Sequence, residues 1–234
     1  MERLYRNVIS PEGLVSYSVK IGESDLFICT SSNLRSLAEA ALARYRSDIE
    51  EYMKAHPIFG RSFKPVPGVF GAPEIVKDMA YAAEVFDVGP MASVAGAIAQ
   101  HVGVELKKKS KEVIVENGGD IFLAGGRRRK VRIFPGNLSQ TLDIIIEDEE
   151  EGLGLCTSSA KVGPSISLGN ADAVTVLAKT ATLADAAATA IGNRVHSAED
   201  IEDALYYAKS NSSILGVVII VGGAMGVWGG IEIV

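Results

Sequence analysis

Asp185 and Thr189 place one carboxylate and one hydroxyl four residues apart within Ala184-Asp185-Ala186-Ala187-Ala188-Thr189-Ala190. Alanine is the strongest helix former, and residues i and i+4 lie one above the other on a helix. The two oxygens therefore share a face that is otherwise small and apolar, where a ligand or a neighbouring backbone can come close. A lone carboxylate with a hydroxyl suits Mg²⁺, which keeps several waters and draws further ligands from a substrate phosphate. A plainer reading uses the same residues. Asp185 would complement the helix dipole as a first-turn acid, Thr189 would bond back to the Asp185 carbonyl, and the alanines would serve close packing. Short motifs match by chance, and on residue chemistry alone the plainer reading leads.

A second segment, Val115-Glu116-Asn117-Gly118-Gly119-Asp120-Ile121, stands some seventy residues earlier. Asn-Gly and Gly-Gly mark turns because these residues accept positive φ. Two successive glycines also bare backbone N–H groups that can form a concave anion nest. An ordinary strand-to-strand turn explains the glycines, but not the polar side chains of Glu116, Asn117 and Asp120 around them.

At this point the chain resembles a known family, the flavin transferases of the ApbE type, and is most similar to a shorter branch of that superfamily. The resemblance rests on Gly89-Pro90-Met91-Ala92-Ser93-Val94-Ala95-Gly96-Ala97, Val115–Ile121, Leu155-Cys156-Thr157-Ser158-Ser159, Ala171-Asp172-Ala173-Val174-Thr175-Val176 and Leu183–Ala190, in that order. It covers most of the chain from Gly89 to Asn193. It implies a Mg²⁺-dependent site where FAD binds and its pyrophosphate is split, the FMN half passing to a Ser or Thr of an acceptor protein. Asp185 and Thr189 match the family's metal-binding acid and hydroxyl. Asn117, Gly118, Gly119 and Asp120 match its nucleotide-contacting turn, and Thr157, Ser158, Ser159 and Ser93 fall in the remaining binding segments.

The chain departs from the family's pattern twice. Ser93 lies where the transferases carry a basic residue, and Pro164 stands where the short branch usually has His. Without an imidazole the site lacks a ready general acid or base, so FAD or FMN binding is expected to outlast transfer. The alternative is a non-catalytic binding or interaction protein for a flavin or phosphorylated metabolite. The catalytic residues and the acceptor protein stay undefined.

The bulk of the sequence sets bounds. At 234 residues it supports one substantial core or two small ones, and one ApbE-like domain over 1–234 is expected. Apolar residues are 47% and charged residues 22%, as in an ordinary globular protein. A net charge of −6 with 6% aromatics disfavours nucleic acid. Cys29 and Cys156 make no disulfide framework and read as buried thiols in a reducing, cytoplasmic setting. No signal peptide is visible at the start. Ser210–Ile231 lacks charge, but its glycines and the β-branched run Val217–Val221 read as a hairpin, not a membrane span. A homo-oligomer is a weak prior for a protein of this size.

The elements that must position the motifs follow from periodicity. Strands are expected within Val8–Thr30, then a long amphipathic helix Asn33–Lys54 capped by Ser31, Ser32 or Asn33. His56–Pro73, rich in proline, is a loop long enough to act as a lid. Helices Glu74–Phe86 and Met91–Val102 follow, the second ending near Gly103, its small residues suiting either N-terminal amides that meet a phosphate or close packing of helix on sheet. A β-meander is expected over Val113–Glu116, Ile121–Ala124, Lys130–Phe134 and Thr141–Ile146, with Arg127–Lys130 and Glu147–Glu151 as solvated turns. Strand Ala173–Ala178, the alanine helix Thr182–Gly192 and helix Ser197–Ala208 complete the reading. Strand meanders with blocks of helix indicate α+β. The resemblance narrows this to a layered, barrel-like antiparallel sheet with helices, of the T-fold type.

Overall fold

A computed structural model of the chain describes residues 13–135, 141–160 and 168–234. Its middle layer is an antiparallel sheet of eight strands. These are β1 (Val15–Ile21), β2 (Ser24–Thr30), β3 (Val113–Asn117), β4 (Asp120–Ala124), β7 (Leu153–Ser158), β8 (Ala173–Ala178), β9 (Ile214–Val221) and β10 (Ala224–Gly229), in that spatial order. One face carries the helices α1 (Arg35–Ala55), α2 (Glu74–Phe86), α3 (Val94–Lys107), α4 (Ala181–Gly192) and α5 (Ile201–Lys209). The other is covered by a second sheet, ordered β11 (Glu232–Ile233), β6 (Leu142–Glu147), β5 (Arg128–Ile133).

Strand side chains alternate between faces, and here both faces are buried. Leu26, Ile28, Val113, Val115, Phe122, Val174 and Val176 meet the helices. Phe27, Cys29, Ile114, Leu123, Leu155 and Leu177 meet the second sheet. Central strands in a middle layer must be apolar throughout, which is why these segments are near-continuous apolar runs. The expected α+β class with a layered antiparallel sheet is present. Among the described residues the sheet is open, with edges at β1 and β10, so its layers do not close into a barrel.

The expected meander divides. β3 and β4 pair through the register Asn117↔Asp120, but the next neighbour of β4 is β7, with Ile121↔Leu155. β5 and β6 leave for the second sheet. β5 reads Arg-Arg-Lys-Val-Arg-Ile, with one polar face, and such a strand fits an outer layer and not a middle one. Of the neighbouring charges expected in solvated turns most are exposed, but Arg129 and Asp148 are not. Arg129 Nε donates to the fully buried Asp148 carboxylate at 2.7 Å, while Arg129 and Arg127 both reach Glu112. A buried carboxylate needs such a partner.

Helix α3 is preceded by a 3₁₀ turn, Pro90–Ser93, and runs through Gly103 to Lys107. Gly103 does not stop the helix because its role is close packing: a Cβ there would lie 2.1 Å from the Phe122 ring. At the start of α1, Asn33 Oδ1 accepts the Arg35 N–H, whereas the Ser31 hydroxyl turns to Ser110. Gly222 and Gly223 link β9 to β10 as the expected hairpin. No single helix among the described residues is long and apolar enough to cross a membrane.

Candidate functional site

Helix α4 starts where Thr180 accepts the Leu183 N–H at 3.2 Å, a side-chain N-cap. Its twelve residues are buried except Asp185 and Thr189. Alanine at most other positions lets the helix lie close on the sheet: Gly154 of β7 would place a Cβ 2.2 Å from the Ala181 Cα. Asp185 sits beyond the first turn, and its carboxylate leaves its own helix. Its Oδ2 accepts the Gly96 N–H at 2.9 Å, at the start of α3. Thr189 likewise ignores its own helix and faces the Ala92 carbonyl at 3.5 Å. That separation exceeds an ordinary hydroxyl bond of about 2.7–2.8 Å. Hydroxyl and carbonyl oxygens thus stand side by side. Neither the dipole-complementing acid nor the back-bonded threonine of the plainer reading matches this geometry.

The amides at the start of α3 could face a phosphate or belong to a closely packed helix. The structure gives the Gly96 amide to Asp185. Gly96 itself has no room for a side chain, since a Cβ would lie 2.3 Å from the Ala181 carbonyl oxygen and 2.7 Å from the Asp185 Cβ.

The β3–β4 turn approaches the same place. Gly118 and Gly119 have φ of 75° and 107°, positive at both central positions as a two-residue hairpin of type I′ demands. Space around Gly119 is open, so backbone conformation and not crowding requires glycine there. Its N–H donates to Glu116 Oε1 at 2.9 Å, so one of the two nest amides is already engaged. Asn117 Nδ2 donates to the Ala95 carbonyl at 3.1 Å, which links the turn to α3. Asp120 is buried beside them. Burial first, and then the negative charge of Asp120, hold the Asp185 carboxyl well above the usual carboxylate range, against the N–H groups of Gly96 and Ala95. Two carboxylates this close make a place that favours a proton or a cation.

The other sequence-predicted residues divide by strand alternation. Cys156 faces α4, its thiol donating to the Ala181 carbonyl at 3.3 Å. Burial, then Asp120 and Asp185, push that thiol well above the usual range, which makes it inert. Ser158 also faces α4, with its hydroxyl 3.6 Å from where a Cβ of Gly192 would be. Thr157 points to the opposite face and pairs with Thr175 at 2.8 Å, away from Asp185. Ser159 bonds the Asp172 carbonyl, and Ser93 is buried against the Pro90 carbonyl. A histidine of α3, His101, could have stood in for the missing imidazole, but it is engaged by Asp78 at 2.8 Å and by the Tyr45 ring. Pro164 lies outside the described residues.

The structure thus brings together Asp185, Thr189 and the turn Asn117–Asp120, and adds the Ala92 carbonyl and the Gly96 amide. Those two are backbone groups, for which no side-chain motif exists. The only hint was a glycine inside an alanine-rich helix start. Among the described residues no three His, Cys, Asp or Glu side chains converge into a metal cluster, so any cation here would depend on mixed oxygen donors.

The fold places the chain in a structural class. It superposes on the flavin transferase ApbE from Vibrio cholerae with a TM-score of 0.65, at 14% identity over 93% of this chain and 97% of that one. The apo flavinyl transferase ApbE of Pseudomonas stutzeri gives 0.57, at 13% identity over 92% and 93%. These likenesses define the ApbE-type fold. Sequence narrows the assignment further. A family model described as AbpE bacteria matches residues 6–225. A UPF0280 protein of Methanocaldococcus jannaschii is 41% identical over 199 residues, 82% of this chain and 81% of the relative. One from Methanosarcina acetivorans is 40% identical over 195 residues, 82% and 77%. The chain belongs to this family.

Proposed function

We propose that the chain binds a flavin nucleotide, FAD or FMN, at a Mg²⁺ site formed by Asp185, Thr189 and the Ala92 carbonyl. One observation carries the reading: on a helix buried almost end to end, the two residues that are only half-buried are an acid and a hydroxyl, and both turn toward the start of α3. The donor set fits the ion. All three groups are hard oxygens, one is anionic, and so small a set leaves most of an octahedral shell to water and phosphate. The raised proton affinity of Asp185 is what a cation would replace. When bound, the ion would neutralise pyrophosphate charge and orient it.

The chain's own residues do the rest. Gly96 and Ala95 fix the Asp185 carboxylate through their N–H groups, and Asn117 holds the turn against α3. The exposed Gly118 offers backbone without a side chain to the nucleotide. We take residues 1–234 as one ApbE-like domain of the cytoplasm, with neither nucleic acid nor membrane as partner. An acceptor protein would be needed only if FMN transfer takes place. Ser93 and Pro164, in place of a basic residue and a histidine, favour binding over transfer.

Titration calorimetry with FAD, with and without Mg²⁺, tests the reading. Mg²⁺ should tighten binding in the wild type and not in Asp185→Ala. Equal affinities in all four titrations would refute it. Mass spectrometry after incubation with FAD, Mg²⁺ and a Ser/Thr peptide tests the limit on chemistry. Rapid FMN adduct formation by the wild type would overturn that limit, whereas a gain confined to Pro164→His would support it.

A further inference from the structure

Helices α3 and α4 cap each other. Asp185 on α4 accepts the Gly96 N–H in the first turn of α3 at 2.9 Å. Gln100, four residues further along α3, accepts the N–H of Ala181, the first residue of α4, at 2.7 Å. First-turn amides have no partner inside their own helix, so each helix satisfies a group that the other leaves open. The Leu183 and Ala184 amides go to the Thr180 hydroxyl and carbonyl at 3.2 and 2.9 Å, while Gln100 takes the N–H of the first residue of α4, whose carbonyl meets the Cys156 thiol.

The two bonds lie one helical turn apart on both helices, since Gly96 to Gln100 and Ala181 to Asp185 are each an i,i+4 step. The Asp185 bond fixes one point of contact between the helices. A second bond one turn away fixes the rotation of α4 and its rise along α3. The close approach of Gly96 to the Ala181 carbonyl leaves no slack between them.

We propose that Gln100 is a positioning residue for the Asp185–Thr189 site. It acts through the first residue of α4, and its role in ligand binding rests on the Mg²⁺–flavin reading above. Gln100→Leu removes the acceptor, and Gln100→Glu keeps it.

The first readout needs no metal. Amide hydrogen exchange of Gly96 should quicken about tenfold in Gln100→Leu, the value of one lost net hydrogen bond. Amides of β8 and β9 should be unchanged, and Gln100→Glu should restore Gly96. The second readout is the ratio of FAD affinities with and without Mg²⁺, which should shrink toward one in Gln100→Leu and recover in Gln100→Glu. If Gln100→Leu does not fold, Gln100→Asn, one methylene short, takes its place. Unchanged Gly96 exchange in the variant without the acceptor overturns the proposal. Absence of a Mg²⁺ effect in the wild type overturns the metal reading instead, and the exchange result separates the two.

Discussion

The Asn117 side-chain amide donates to the Ala95 carbonyl at 3.1 Å, so the β3–β4 turn and the first turn of α3 form one unit. Asn117→Ala removes that tie and nothing else that the turn needs, since the positive φ belongs to Gly118 and Gly119. The loss should be about 1 kcal/mol of stability, with a larger proportional loss of FAD affinity. Urea unfolding and calorimetry measure the two. A variant that loses stability but binds FAD as the wild type does would detach the turn from the site.

Asp185 sets a pH signature. Its folded-state proton affinity is raised, first by burial and then by Asp120. Its contribution to stability is therefore fully present below the unfolded value of 3.8 and is lost as pH rises through the folded value. Asp143, held low by Arg132 and Lys130, acts in the opposite sense and loses its contribution as pH falls. Subtracting the profile of Asp185→Asn from that of the wild type isolates the site. Without divalent cations the difference should turn against the wild type on going from acid to neutral pH, and Mg²⁺ should reverse it. A flat difference across that range would show that Asp185 is not desolvated.

Gly96→Ala places a methyl 2.3 Å from the Ala181 carbonyl oxygen. Backbone cannot yield as a flexible side chain does, so α3 and α4 must separate, at a cost of roughly 1–3 kcal/mol. Calorimetric melting with and without Mg²⁺ should show both a lower midpoint and a smaller rise on adding the ion. A midpoint within a degree of the wild type would mean that the helices have slack.

Cys29 and Cys156 are both buried, and burial raises both thiols. Neither should react with a thiol reagent in the native state, and both should label at the rate of global unfolding. Fast labelling of Cys156 alone would reveal a solvent path beneath Asp185.

Much of this architecture can be read from local pattern. The alanine helix, the glycine turn, the β9–β10 hairpin and helix Glu74–Phe86 follow from periodicity and turn chemistry, which act over a few residues. What failed depends on contacts distant in sequence. β5 and β6 have strand character in any sheet, and only the double-sided burial of β4 and β7 excludes them from the middle layer. Gly103 looks like a helix stop until Phe122 is seen against it. Arg129 and Asp148 look like solvated turn charges until they meet at 2.7 Å. In the site, Asp185 and Thr189 were visible as a pair, but their partners on the α3 side are main-chain atoms that carry no signature. Thr157 and Ser158 are adjacent in sequence, and only the pleat sends them to opposite faces.

The bonds that assemble the site close long loops. Asp185 meets Gly96 across 89 residues, Thr189 meets Ala92 across 97, and Ala181 meets Gln100 across 81. Contacts of such separation form only after most of the chain entropy has been lost. The site shares this dependence with the sheet itself, where Leu26 pairs with Asn117. A chain that ends before Ala181 keeps Gly96 and Gln100 but lacks the residues of α4 that meet them, so neither bond can form. On the proposed reading, cation affinity would report that α4 has docked on α3, and a chain without α4 should take up neither Mg²⁺ nor flavin.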